Sequence, residues 1–212
     1  MIDESPVIVL SAIEDEARRS LVIELSDGTS CEVAVGADEA RGISPGLELS
    51  PEQLEGLHLA EERKRAARQV FKWLDRRPRT RADLERRLVE KGFDRSLAGQ
   101  VLDRFEAEGL VDDRSFAEQF GRERLRNRPV GPRWLGGRLR QEGIDGQVVR
   151  AVVDGLFEEF EEVELATRAL VRKRADCGDE AGRQKAARFL NSRGFSTSAA
   201  VEAVRRVRSG EN

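Results

Sequence analysis

The stretch RPVGPRWLGGRLRQEGI (residues 128–144) decides the fold, because the chain contains it three times at a constant spacing. An earlier copy, RPRTRADLERRLVEKGF, occupies residues 77–93, and a more divergent copy, DEAGRQKAARFLNSRGF, occupies residues 179–195. Successive copies begin 51 residues apart, and each ends in a glycine followed by a large apolar residue. Repetition at such a period indicates one supersecondary unit used three times.

Each copy has the pattern of a short helix that ends at a left-handed glycine. In this kind of helix end, the residue after the glycine packs back on a residue of the last helical turn. The predicted pairs are Leu88 with Phe93, Leu139 with Ile144, and Leu190 with Phe195. Phe105, Gly109 and Leu110 predict the same kind of end for the following helix, and Thr80 and Asp83 form a capping box that opens the first copy.

Two further helices complete each unit. A longer helix precedes each copy, around residues 59–76, 114–127 and 163–175, and a helix with one apolar stripe follows each glycine. The stripes consist of Leu97, Val101, Leu102 and Phe105; of Val148, Val152, Val153 and Leu156; and of Ala199, Val204 and Val207. Since no unit of this size buries its apolar face alone, we predict a mainly α fold of tandem three-helix repeats that form an elongated, curved array.

The N-terminal segment has a different pattern, with alternating apolar residues on either side of an Asp-Gly turn. A three-residue loop, residues 26–28 with Gly28 left-handed, places Leu21 opposite Val33 and Ile23 opposite Cys31. Ser50, Pro51 and Gln53 then open a helix. We therefore predict an N-terminal extension with a small β-hairpin at residues 1–57, followed by repeats at 58–111, 112–162 and 163–212.

Charge is distributed unevenly along the chain. Charged residues make up 36% of it and the net charge is −3. Residues 1–62 contain 15 acidic and 3 basic residues, whereas residues 63–212 contain 25 acidic and 34 basic residues. This asymmetry favours an acidic extension on a body that faces phosphates or an acidic protein. With no apolar run of membrane-spanning length and no signal peptide, we expect a cytoplasmic protein without membrane contact.

The residues that catalysis usually needs are scarce. The chain has one histidine and no tyrosine, and it lacks a phosphate-binding loop. His58 has no partner to orient it, and Cys31 and Cys177 have no motif around them. The pair Asp112-Asp113 could bind Mg²⁺, but helix capping is the simpler interpretation. We therefore predict no catalytic residue, no metal and no cofactor.

The arginines are the strongest functional feature, since guanidinium groups suit phosphates and carboxylates alike. In the middle unit, few acidic residues stand near the arginines in sequence, and Arg122 and Arg126 share a helix face. The predicted contact residues of this unit are Arg122, Arg126, Arg128, Arg133, Arg138 and Arg140. The first unit adds Arg77, Arg79, Arg81 and Arg87, although helix-surface ion pairs with nearby acidic residues also explain arginines there. Trp134, next to Leu135, fits a core position better than a base-stacking platform.

The motifs LDRRPRTRADLERRLVEKGF, VLDRFEAEGLVDDRSFAEQF and RLRNRPVGPRWLGGRLRQEGI, in this order, resemble the RecX family of recombination regulators. The resemblance covers residues 60–155 and extends more loosely to residue 207. It implies tandem three-helix repeats and a monomeric, non-enzymatic regulator of recombination and DNA repair. Such a regulator binds the RecA recombinase filament, usually as an inhibitor of its ATPase and strand exchange, and contacts single- or double-stranded DNA through phosphates.

This chain also departs from the family pattern. Phe93 and Phe120 stand where the family often has tyrosine, and the third unit lacks the proline pair of the second. The resemblance leaves the acidic extension without a role. Three alternatives stay open: a direct DNA-binding helical module, a helical adaptor for another acidic partner, and, with the least support, an enzyme.

Overall fold

The computed structural model describes residues 6–210, which form nine α-helices and a four-stranded sheet. The strands are β1 (Val7–Asp15), β2 (Ser20–Leu25), β3 (Ser30–Ala34) and β4 (Glu48–Leu49). The helices are α1 (Pro51–Leu74), α2 (Arg81–Glu90), α3 (Arg95–Ala107), α4 (Asp113–Asn127), α5 (Pro132–Gln141), α6 (Gly146–Glu159), α7 (Glu162–Lys173), α8 (Glu180–Ser192) and α9 (Thr197–Ser209). None of the helices described is long and apolar enough to cross a membrane.

The helices confirm the prediction of three-helix repeats. The third helix of each repeat begins 51 residues after the previous one, at Arg95, Gly146 and Thr197. Each second helix ends as predicted, with the N–H after the glycine donating to a carbonyl five residues earlier. These bonds join Phe93 to Leu88 at 3.1 Å, Ile144 to Leu139 at 3.3 Å, and Phe195 to Leu190 at 3.2 Å. Leu110 donates in the same way to Phe105 at 2.8 Å.

Helix α1 is longer than expected. It begins at Pro51 behind the predicted Ser50–Gln53 capping box, in which the Ser50 hydroxyl and the Gln53 side chain each meet the other residue's N–H. The helix then continues without interruption to Leu74. The division predicted between residues 57 and 58 therefore falls inside one helix.

The N-terminal sheet contains the predicted hairpin and two further strands. Strands β2 and β3 pair in the predicted register, with Leu21 opposite Val33 and Ile23 opposite Cys31, and Gly28 is left-handed. Strands β1 and β4 extend the sheet to the antiparallel order β3-β2-β1-β4. The pairing of β1 with β2 shifts between Val9 and Ser11. Because of this irregularity, apolar and polar residues do not alternate regularly along β1.

The chain divides into two compact units. The first contains the sheet, α1 and residues 85–104. Its apolar core places Leu57 and Ala60 of α1 against buried residues of the strands. Glu32 of β3 accepts hydrogen bonds from Arg68 and Lys64 of α1, and the bond from Arg68 is the main cause that lowers the Glu32 pKa to about 2. Part of the acidic extension is thus neutralised by the basic residues of α1.

The second unit contains residues 78–84 and the chain from Phe105 onward. One apolar core runs through α4 to α9, and Leu135, Leu139, Leu190 and Phe195 are fully buried in it. The second and third repeats therefore share a core. This shared core fixes the helix ends on which the candidate site lies.

Candidate functional site

The turn from α4 to α5 holds the centre of the predicted arginine surface. Pro129 and Pro132 lack N–H groups, so α4 ends at Asn127 and Pro132 opens α5 at its first turn. Val130 is buried between them and anchors the turn. Arg128 follows the last helical residue with an extended backbone (φ −142°, ψ 86°), and it is exposed.

Arg124 of α4 lies over the indole of Trp134 in α5, with 4.3 Å between the guanidinium carbon and the ring centroid. Both residues are half-buried. Burial lowers the Arg124 pKa, and the positive charges of Arg128, Arg193 and Arg138 lower it further. All the charged neighbours that perturb this pKa are therefore cations. We call Arg124, Arg128, Arg138 and Arg193 the arginine cluster.

Arg193 reaches the cluster from the third repeat, because the end of α8 lies directly against the start of α5. The Gly131 N–H donates to the Arg193 carbonyl at 2.9 Å, and the Arg133 N–H donates to the Gly194 carbonyl at 3.2 Å. A Cβ added to Gly194 would lie 2.2 Å from the Trp134 backbone nitrogen. Only glycine permits this approach, so the backbone contact itself positions Arg193.

Two arginines of α7 bring more positive charge to the end of α4. Arg168 donates to the Leu125 carbonyl at 2.6 Å, and Arg172 donates to the Asn127 carbonyl. The last carbonyls of a helix carry partial negative charge and lack intrahelical partners, so guanidinium groups suit this position. The same two residues tie α7 of the third repeat to α4 of the second.

The other predicted arginines of the middle repeat differ in how many ion pairs and hydrogen bonds they form. Arg122 pairs with Glu159 at 3.2 Å and with Glu118 at 3.4 Å, and Arg133 donates to the Phe195 carbonyl at 2.7 Å. Arg138, a cluster member, also pairs with Glu142. Arg126 and Arg140 are exposed, and neither has an ion pair with any residue in the range 6–210.

The predicted arginines of the first repeat differ in burial and in pairing. The Arg79 side chain is 9% exposed and pairs with Asp83 at 2.7 Å, and Arg81 pairs with Glu106 at 2.5 Å. Arg87 is half-buried on α2. Arg77 is exposed after α1 and, within the described part of the chain, forms no ion pair.

Sequence reasoning did not select Arg124, Arg193, Arg168 and Arg172, which the structure groups around the end of α4. Arg168 and Arg172 stand four residues apart on α7, a spacing that indicates one basic helix face. For Arg193, the alignment of the three copies offers a signal, because Arg193 precedes the turn glycine that all three copies share, where the second copy has Glu142. Trp134 is half-buried and packs against the core, in agreement with the core position predicted for it.

The capping interpretation of Asp112 and Asp113 is confirmed. Asp112 accepts from the Ser115 N–H at 3.0 Å at the start of α4. Asp113 accepts from the Arg81 N–H at 2.8 Å and so caps a different helix, α2. Burial raises the Asp113 pKa. Among residues 6–210, no group of three or more histidine, cysteine, aspartate or glutamate side chains is placed to hold a metal ion.

Comparisons with known proteins agree with this architecture. Residues 66–105 match the family model of the first three-helix domain of RecX, and residues 112–153 match the model of the second. A regulatory protein RecX of Mycobacterium sp. (strain JLS) is 36% identical over 146 residues, 65% of this chain and 79% of the relative. That of Mycobacterium tuberculosis (strain ATCC 25177 / H37Ra) is 33% identical over 150 residues, 68% of this chain and 86% of the relative.

Solved structures share the fold. A crystal structure of regulatory protein RecX superposes with a TM-score of 0.75 at 22% identity, over 91% of this chain and 96% of that one. RecX from Lactobacillus salivarius gives a TM-score of 0.61 at 18% identity, over 70% of this chain and 97% of that one. With two matched domains and curated relatives aligned over most of their length, the chain belongs to the RecX family of regulatory proteins.

Proposed function

We propose that this protein binds the filament that RecA recombinase forms on DNA and lowers its ATPase and strand exchange. It acts as a monomer in the cytoplasm and without catalysis of its own. Membership of a family whose curated members are named regulatory proteins supports a regulatory role. The arginine cluster supports a negatively charged partner.

The observation that carries the proposal is the like-charge grouping around Arg124. Arg124 lies 4.3 Å above the Trp134 ring, and its charged neighbours Arg128, Arg138 and Arg193 are all cations. Of these four arginines, only Arg138 has an ion pair among the described residues, with Glu142. Neighbouring like charges repel one another, and the ion pair of Arg138 with Glu142 offsets only part of this repulsion. An anionic partner would turn this repulsion into attraction, so the arrangement suits binding better than it suits folding.

The chemistry of the cluster fits a filament of protein and DNA. Guanidinium groups form two-pronged hydrogen bonds with carboxylates and with phosphates. The aromatic ring under Arg124 holds that guanidinium in place, which reduces the entropy lost on binding. Contacts with several neighbouring recombinase subunits would add through effective concentration, so modest contacts suffice for substoichiometric action.

The experiment is a titration of the DNA-dependent ATPase of the cognate recombinase on single-stranded DNA, with less than one molecule of this protein per recombinase monomer. We expect the ATPase rate to fall at concentrations where the same DNA without recombinase stays unbound. The variant Arg128→Glu, with its exposed side chain in the cluster, should need roughly tenfold more protein for the same inhibition.

Arg150→Glu is the matched control, because Arg150 is an exposed arginine of α6 that the cluster does not include. It should inhibit like the wild type. Equal inhibition by Arg128→Glu and Arg150→Glu would remove the cluster from the proposal. Inhibition only at concentrations that coat naked DNA, with a steep salt dependence, would favour a direct DNA-binding module instead.

A further inference from the structure

A second basic site lies in the third repeat, in the cleft between the end of α7 and α8. The cleft has a volume of about 570 Å³, within the range of ligand-binding pockets. Four cationic residues line it: Lys173, Arg174, Lys185 and Arg188. We call it the third-repeat cleft.

The cations of the cleft are little used by the fold. Arg174 and Lys185 are exposed, and neither pairs with a carboxylate within the described residues. Arg188 donates to the Gln184 amide oxygen at 3.3 Å, and the Lys173 ammonium lies 4.0 Å from the centre of the Phe189 ring. The cleft therefore keeps an excess of positive charge, with four cations against the two carboxylates of Asp176 and Asp179.

Two carboxylates also line the cleft, and backbone groups hold both. Asp176 Oδ1 accepts from the Gly178 N–H at 2.9 Å, and Asp179 Oδ1 accepts from the Gly182 N–H at 2.7 Å as the N-cap of α8. Each carboxylate is thus fixed through one oxygen, and its second oxygen can accept from a ligand. Small apolar residues, Ala175, Ala181 and Ala186, also line the cleft, together with Gly182 and Gln184.

Arg174 has a backbone conformation that a different residue would adopt more easily. It is the C-cap of α7 and has φ 53° and ψ 47°, in the left-handed region. Glycine is the usual residue at such a helix end, because a Cβ is strained there. Second and third helices of the other repeats do end at left-handed glycines, at Gly92, Gly109 and Gly143. A strained arginine at the edge of a basic cleft points to a use for its side chain.

We propose that the third-repeat cleft binds an acidic peptide segment of a partner protein. The four cations would pair with its side-chain carboxylates, the two aspartates would accept from its backbone N–H groups, and the alanines would contact small side chains. A nucleic-acid backbone fits less well, since its phosphates only accept hydrogen bonds and would meet Asp176 and Asp179 as like charges. The inference does not rest on the proposed function and involves different residues.

The test uses the full chain and a fluorescein-labelled synthetic peptide of alternating glutamate and alanine, followed by fluorescence anisotropy with no recombinase present. We expect saturable binding that Lys185→Glu weakens roughly tenfold, as removal and reversal of a contacting charge should. Arg150→Glu, outside the cleft, should bind like the wild type. Equal affinity of the Lys185→Glu and Arg150→Glu variants would overturn the proposal.

A second variant separates binding from folding. Arg174→Gly relieves the left-handed strain and removes one cation, so it should raise the Tm while it weakens peptide binding several-fold. Unchanged peptide affinity in this more stable variant would contradict the proposal. A labelled oligothymidylate provides the remaining arm: if Lys185→Glu weakens its binding and leaves peptide binding intact, the cleft is a nucleic-acid site and the peptide proposal is wrong.

Discussion

The second unit contains two junctions between repeats that lie at equivalent positions of the repeat and differ in their contacts. At the first junction, the turn after α5 meets the start of α2: the Thr80 hydroxyl donates to the Glu142 carbonyl at 2.8 Å, and Gly143 faces Ala82. At the second, the turn after α8 meets the start of α5. Gly131 and Arg193 stand 51 residues after Thr80 and Glu142, their counterparts at the first junction. There the Gly131 N–H, rather than a side chain, makes the equivalent bond.

The difference shows how one repeat junction comes to present positive charge. The second junction has glycine on both sides, so backbone meets backbone, and a Cβ on Gly131 would lie 2.2 Å from the Gly194 carbonyl oxygen. This closeness brings Arg193 to the cluster beside Trp134. The first junction has Glu142 and Asp83 in the positions of those two residues. Equivalent positions of the repeat therefore serve the fold at the first junction and present positive charge at the second.

The largest effect should follow from Gly194→Ala, which tests the closer approach at the second junction. The new Cβ meets backbone atoms of Trp134, and φ is +81°. The backbone at the start of α5 cannot move aside as the end of a flexible side chain can. We therefore expect a loss of about 3 kcal/mol or more in the free energy of unfolding. Urea denaturation measures it.

Gly92→Ala is the control for Gly194→Ala, since Gly92 has φ +90° and no atom within 4 Å of an added Cβ. Gly92→Ala should lower the free energy of unfolding only by the strain of a Cβ in the left-handed conformation, about 1 kcal/mol. Equal losses for the two variants would mean that the contact with Trp134 contributes nothing.

Gly143→Ala should have an intermediate effect and sharpen the comparison at the first junction. Its Cβ would lie 2.3 Å from the Ala82 Cβ, a side-chain atom, and φ is +82°. We expect a loss of about 2 kcal/mol. Adding Ala82→Gly removes the clashing atom, so the double variant should lose less than the two single changes together. Strict additivity in the denaturation midpoints would contradict this account.

Thr80→Val should weaken only the first junction. It removes the hydrogen bond to Glu142 and the acceptor that caps the Asp83 N–H at 3.2 Å, with little change in volume. We expect a loss of about 1–2 kcal/mol in thermal or urea unfolding. Thr80→Ser keeps the hydroxyl and should retain most of the stability. If Thr80→Ser is as unstable as Thr80→Val, packing of the methyl group matters and the hydrogen bond does not.

The smallest expected effect concerns Asp113, whose carboxylate caps α2 beside the first junction. Burial raises its pKa in the folded protein above the ordinary value of 3.8, so protonation favours the folded state. Stability contributed by this group is therefore gained as the pH falls through the raised pKa and is complete below about 3.8. Asp113→Asn should lack this pH dependence, which the difference between the two unfolding curves from pH 7 to pH 4 measures. A constant difference would contradict the raised pKa.

The sequence predicted those parts of the fold that local chemistry determines. The glycine helix ends, the Ser50 cap and the register of β2 and β3 each depend on residues a few positions apart. Strand β1 could not be predicted in the same way, because its irregularity at Val9 breaks the alternation. The start of α1 was recognised, but its continuity with the first repeat depends on packing of Leu57 and Ala60 against the sheet.

The candidate site was predicted in part for the same reason. Arg128 and Arg138 belong to the cluster and were predicted from arginine density along the middle repeat. Arg193 was missed because its position depends on a contact between residues 62 apart in sequence, Gly131 and Arg193. Density alone also cannot distinguish an exposed arginine such as Arg126 from Arg79, whose side chain is buried in an ion pair.

The most direct test of the central claim is the affinity of Arg193→Glu for recombinase filaments on labelled single-stranded DNA, measured against Arg150→Glu. This change gives the second junction the residue of the first, at a position whose backbone bonds do not depend on its side chain. We predict roughly tenfold weaker binding for Arg193→Glu and wild-type binding for Arg150→Glu. Equal affinities, with the fold of both variants intact, would contradict the claim that the second junction presents the binding surface.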